Sequence, residues 1–120
     1  MGNPVVHFEV IGRDGAALAG FYEQLFGWST QGAGEMPYWL VEKEDEGIGG
    51  GIGQTQDGGE GHVTFYVQVD DPQAALDRAE SLGGRTVLPV TTIPNMVTFA
   101  LFADPEGHVV GVVASETPQG

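Results

Sequence analysis

The chain has no cysteine. Disulfides, thiolate metal sites and cysteine nucleophiles are therefore excluded. It is almost as poor in positive charge. Arg13, Lys43, Arg78 and Arg85 are its only basic residues, against 17 acidic ones, and the formal net charge is −13. So acidic a chain offers no electrostatic footprint for nucleic acid and no attraction to anionic lipid. The expected partner is a small molecule, with a cationic or neutral one favoured over a polyanion. Nucleic acid and membrane are not expected. No apolar run approaches the roughly 18 residues that a membrane helix needs. The opening Met1-Gly2-Asn3-Pro4 lacks the charged-then-apolar pattern of a secretion signal. A cytoplasmic protein is the expectation.

Nucleotide fingerprints are missing too, although glycine is plentiful. The run 47–54 reads GIGGGIGQ. A dinucleotide-binding turn needs glycines at positions one, three and six, between a strand and a helix. Ile52, Gln54 and Gln56 fall where the last glycine would be, and no helical pattern follows. A P-loop needs Gly-Lys before Ser or Thr, but Lys43 lies upstream within the acidic stretch 42–46. That stretch would repel a phosphate.

What is present is a repeat. Residues 5–11 (VVHFEVI) alternate as a strand. Residues 14–27 read as a helix, with an apolar stripe at Leu18, Phe21, Tyr22, Leu25 and Phe26, Asp14 as N-cap and Gly27 as C-cap. Short β-like pieces follow at 28–30, 38–42 and the glycine run. The second half has the same order: a strand at 62–69, a helix at 71–83 with Asp71 as cap and Pro72 in the first turn, and strands at 85–88, 96–103 and 109–114. Residues 104–107 (DPEG) form a tight turn, 56–61 (QDGGEG) a linker, and 115–120 a frayed end. The expected fold class is α+β. Two βαβββ modules, 4–55 and 61–115, pack within one domain, 1–120, as a curved mixed sheet enclosing a groove. Each module alone is too small to bury a full core.

Alternation sorts the side chains by face. Val6, Phe8 and Val10 should meet the first helix, leaving His7 and Glu9 on the groove side. Val63, Phe65, Val67 and Val69 should meet the second helix, leaving His62, Thr64, Tyr66 and Gln68 to the groove. Each module thus opens with a groove-side histidine in the same phase. His108, after the tight turn, reads as a surface residue. Phe21, Phe26, Phe65 and Phe99 read as core, while Tyr38, Trp39 and Phe102 are candidate groove walls.

The paired modules, the helix end FYEQLFGW, the histidines His7 and His62, and the segment DPEGHVVGVV together resemble the vicinal oxygen chelate superfamily. That superfamily includes glyoxalase I, extradiol dioxygenases and bleomycin-resistance proteins. The resemblance implies four strand positions around one divalent ion. His7 and His62 match the first and third. The second falls near residues 50–52 and the fourth on Gly111, where no side-chain ligand exists. The resemblance thus implies that the glycine run is an edge-like, bulge-prone strand giving backbone and room to the groove. Apart from the resemblance, His7, His62 and Glu9 could form a two-histidine, one-carboxylate set.

Two readings remain open. In the first, a metal-free protein binds a small amphipathic or cationic molecule through His7, Glu9, Tyr38, Trp39, His62, Thr64, Tyr66, Gln68, Phe102 and Gly111. No cofactor is then expected, and acidic, metal-free dimers among the bleomycin-resistance relatives support this reading. In the second, a lyase, isomerase or dioxygenase uses a divalent metal on His7 and His62, with Glu9 as the further ligand. Without a metal, His7 or His62 would be the general base and Tyr66 the proton donor. Glutathione-dependent glyoxalase I activity is not expected, because the groove strands carry no Arg or Lys for glutathione's carboxylates. A homodimer is expected from the prevalence of symmetric pairs.

Overall fold

The structure, a computed structural model, describes residues 2–115. Its elements follow the order β1 (Val5–Gly12), α1 (Gly15–Phe26), β2 (Thr30–Gly32), β3 (Tyr38–Val41), β4 (Gly49–Gln54), β5 (His62–Val69), α2 (Pro72–Ser81), β6 (Arg85–Ile93), β7 (Val97–Ala103) and β8 (Val109–Ala114). This is an α+β fold with the βαβββ order present twice. By compactness the chain divides into Val6–Thr64 and the remainder, so one boundary runs through β5 after Thr64. The frayed end expected at 115–120 lies outside the described residues, apart from Ser115.

In the first unit the hydrogen-bonded strand order is β2-β3-β4-β1, with β1 parallel to β4 and the other pairs antiparallel. Helix α1 starts where the Asp14 side chain accepts the Ala17 N–H at 3.0 Å, and it stops at Gly27 in the left-handed region. It packs on β3 and β4. Ala19, Val41 and fully buried Ile52 make the core, with Phe8, Val10, Leu18, Tyr22, Trp28 and Trp39 against them. Phe8 and Val10 are therefore on the helix side, as alternation predicts. Trp28 lies outside any strand, and β2 begins at Thr30. The Trp28 ring instead stacks on Tyr22 and meets Phe8 and Phe26.

In the second unit the order is β5-β8-β7-β6, with β5 parallel to β8 and the rest antiparallel. The Asp71 side chain caps α2 through the Ala74 N–H, and Pro72 occupies the first turn. The cap at the other end is Leu82 rather than Gly83. The helix covers β6, β7 and β8, burying Leu76, Ala100 and Val112 with Val69, Ala75 and Phe102 around them. Strand β6 runs on to Ile93, past the expected end at 88. Its two register shifts meet at Leu88, and the second, between Leu88 and Thr91, spans Pro89, which has no N–H to pair.

Three expectations about burial and position are overturned. Val63 and Phe65 should have met a helix, yet Val63 is 75% exposed and Phe65 is also exposed, while Thr64 and Tyr66 beside them are buried. The face assignment holds, since Val69 packs on the α2 core. The helices, however, sit over β3–β4 and β6–β8 and leave the start of β5 uncovered. On α1, only Leu18 and Tyr22 of the apolar stripe reach the core, and Phe21, Leu25 and Phe26 are exposed. The glycine run is not an edge. It is β4, bonded to β3 on one side and β1 on the other, because the chain returns through β2 and β3 outside it.

Leu76 is 1% exposed at the centre of the second core. Leu76→Ala should cost about 2–5 kcal/mol in urea unfolding, while Phe21→Ala, on the open face of α1, should cost well under half of that. Equal losses would contradict the placement of the core.

Candidate functional site

The face of the first unit away from α1 carries an unbroken chain of polar side chains. His7 and Glu9 project from β1 with period two, and Tyr38 comes from β3, two strands away. The Tyr38 phenol can span that distance because β4 lies between as glycine. Its ring rests over Gly53, where an added Cβ would come within 2.7 Å of the ring, and its hydroxyl end lies over Gly51, where an added Cβ would fall inside the phenol. On the opposite, helix-facing side of β4, Gly50 gives way to the Phe8 ring in the same manner. From Gly50 to Gly53 the run therefore alternates: Gly51 and Gly53 make room for Tyr38, and Gly50 makes room for the core.

The hydrogen bonds run in one direction. Tyr38 Oη donates to Glu9 Oε2 at 3.0 Å. Its single proton being committed there, the contact of 3.1 Å with His7 Nε2 has the imidazole as donor. His7 is thus the Nε2–H tautomer. Glu9 Oε1 lies 3.3 Å from His62 Nε2. A carboxylate only accepts, so His62 donates as well. The order is His7 to Tyr38 to Glu9, with His62 joining from the far side. The Glu9 side chain is 12% exposed and that of His62 37%, which makes His62 the outer end. Burial lowers the His7 pKa below its ordinary value, partly offset by the Glu9 charge, which raises it. The lowered pKa favours the neutral ring, whose Nε2–H donates to Tyr38.

A metal fits this set poorly. Among the described residues, no three His, Asp or Glu side chains come together as a metal-holding group, so the combination His7, Glu9 and His62 does not form one. The Tyr38 hydroxyl stands between His7 and Glu9 and bonds to both. Near positions 50–52 and at Gly111, the superfamily resemblance leaves ligand positions with no side chain able to ligate.

The other candidates fall elsewhere. Tyr66 lies on the polar side of β5, with its ring over Gly111 on β8 and edge-on to Phe99 at 6.2 Å. Thr64 is buried, and Gln68 is partly buried with its backbone N–H on the Pro4 carbonyl at 2.9 Å. Trp39 and Phe102 are not groove walls. Alternation puts each on its helix side, where Trp39 meets the start of α1 and Phe102 the Leu76 cluster. His108 is a turn residue. Its ring bonds to Asp104 at 3.0 Å, and the Asp104 carboxyl is held below its usual range mainly by the His108 backbone N–H. Tyr38 was legible as an aromatic near the site, but its bridging role was not. The one signal was a tyrosine followed at a distance by glycines at alternate positions.

Comparison with known proteins agrees with this architecture. The glyoxalase-like domain profile matches residues 7–113. A putative glyoxylase, CFP32, of Mycobacterium tuberculosis is 31% identical over 100 residues, covering 81% of this chain and 38% of the relative. The anthracycline biosynthesis protein DnrV of Streptomyces peucetius is 29% identical over 124 residues, covering 88% of this chain and 44% of the relative. The chain thus spans less than half the length of these curated relatives. Among solved structures, methylmalonyl-CoA epimerase from Mycobacterium tuberculosis superposes with a TM-score of 0.66 at 13% identity, over 96% of this chain and 89% of the epimerase. That likeness bears on the fold alone. By the match across nearly its whole length, the chain belongs to the glyoxalase-like domain family of the vicinal oxygen chelate superfamily.

Proposed function

We propose that the chain binds a small amphipathic or cationic molecule at the His7–Tyr38–Glu9–His62 array, without a metal. The observation that carries this reading is the Tyr38 hydroxyl bonded to both His7 and Glu9. It leaves a flat ring beside a partly buried carboxylate, which suits a planar ligand bearing a hydrogen-bond donor. The net charge of −13 favours a cation over an anion at the outer, His62 end. A relative named for anthracycline biosynthesis supports a small organic ligand. The alternative, a metal-dependent lyase, isomerase or dioxygenase using His7 and His62, has weaker support because the donor set does not converge. The absence of a helix long and apolar enough to cross a membrane, among the described residues, agrees with a ligand met in water.

A homodimer belongs to the same reading. Val63 and Phe65 stand exposed on one face of β5, and a second copy would cover them. Light scattering should give a dimer mass for the wild type and a monomer mass for Val63→Lys combined with Phe65→Lys. A wild-type monomer would remove the dimer from the reading.

Binding is tested with planar aromatics bearing an aliphatic aminomethyl group, protonated at neutral pH, and their neutral N-acetyl analogues. Glu9→Gln should weaken the amines at least tenfold, about 1.4 kcal/mol, and leave the acetylated compounds within twofold. Equal losses for both sets would contradict a charge-selective site.

Neutral His7 gives a second test. Its folded pKa lies below the unfolded value of 6.5, so protons bind preferentially to the unfolded chain. This contribution is fully present above pH 6.5 and is lost as pH falls from there through the folded pKa. Urea midpoints should therefore drop more steeply on acidification for the wild type than for His7→Gln. A steeper drop in the variant would contradict a buried neutral imidazole.

A further inference from the structure

The superfamily resemblance puts one metal-ligand position near residues 50–52 and another on Gly111, and a glycine at each place is covered in the same way. Over Gly51 lies the phenol of Tyr38, and over Gly111 lies the ring of Tyr66. Each tyrosine comes from the strand next to its glycine. Tyr38 is paired with Gly53 in the β3–β4 ladder, and Tyr66 is paired with Gly111 in the β5–β8 ladder. At neither glycine is there room for a Cβ. A carboxylate at either position therefore requires the tyrosine to move.

We propose that the tyrosine–glycine pairs, Tyr38 with Gly51 and Tyr66 with Gly111, are built exclusions of a metal ligand, and that Tyr38 is the residue that commits the His7–Glu9 face to metal-free hydrogen bonding. The inference rests on the metal-free reading above and gives that reading its cause. Tyr38 acts twice. Its ring occupies the volume of a side chain on β4, and its hydroxyl draws one oxygen of Glu9 and the Nε2 of His7 into a hydrogen-bonded pair of contacts. A divalent ion would need those donors turned toward a common centre. Tyr66 performs only the first part, and Gly111 is there to admit its ring.

The experiment is a double-mutant cycle read by urea unfolding, with a metal arm. Gly51→Ala should lower the folded-to-unfolded ratio at least tenfold in the wild-type background and less than threefold in the Tyr38→Ala background. The same coupling is expected for Gly111→Ala with Tyr66→Ala. Additive effects in both cycles would overturn the inference. If Tyr38→Ala does not fold, Tyr38→Leu, which also removes the phenol from Gly51, replaces it. In the metal arm, Gly51→Glu combined with Tyr38→Ala should gain a melting shift with Ni(II), Co(II) or Zn(II) that chelator reverses. The wild type and Tyr38→Ala alone should show none. A folded double variant with no shift would overturn the claim that the pair is the determinant. Stoichiometric metal on the wild type would overturn both the exclusion and the metal-free reading. Loss of amine selectivity with the cycles still coupled would sink the binding reading alone.

Discussion

The polar face of the first unit depends on one contact, the Tyr38 phenol lying flat across β4. It holds only because Gly51 and Gly53 have no side chains on that side. Everything polar nearby is arranged by it. Tyr38 commits its proton to Glu9, which makes His7 a donor to Tyr38 and fixes its tautomer. Glu9 retains a second oxygen for His62. Burial then lowers the His7 pKa, which favours the neutral ring. A short acidic chain thereby presents an ordered set of donors and acceptors.

The same glycines also serve the core. Gly50 gives way to Phe8 on the side of α1, and Ile52 between Gly51 and Gly53 is fully buried there. Strand β4 is thus stripped on both faces for different reasons, with one apolar anchor. Burying an isoleucine fully is worth roughly 1.5–3 kcal/mol, which helps offset the entropy cost of ordering so many glycines. Pairing with β1 and β3 over its length supplies the rest of its order.

Much of this was legible in the sequence, for local reasons. Asp14 and Asp71 mark their helix starts through short-range capping, and period-two alternation puts His7 and Glu9 on one face and Phe8 and Val10 on the other. What alternation cannot give is what covers a face. Val63 and Phe65 read as core, yet α1 and α2 sit over other strands, so their face is open. Trp39 and Phe102 read as walls of a site because aromatics suit either role, and only the packing of α1 and α2 decides. The meaning of the glycine run depended on which strand lies beside it. Under the superfamily resemblance GIGGGIGQ suggested an edge; placed between β1 and β3, it is a bed for Tyr38.

The most direct test is a crystal structure grown at neutral pH with excess Co(II), examined by anomalous scattering at the cobalt edge. The account predicts ordered density for the Tyr38 ring over Gly51, its hydroxyl within hydrogen-bond distance of His7 and Glu9, and no anomalous peak between them. A cobalt peak ligated by His7, with Tyr38 swung away from the glycines, would contradict it.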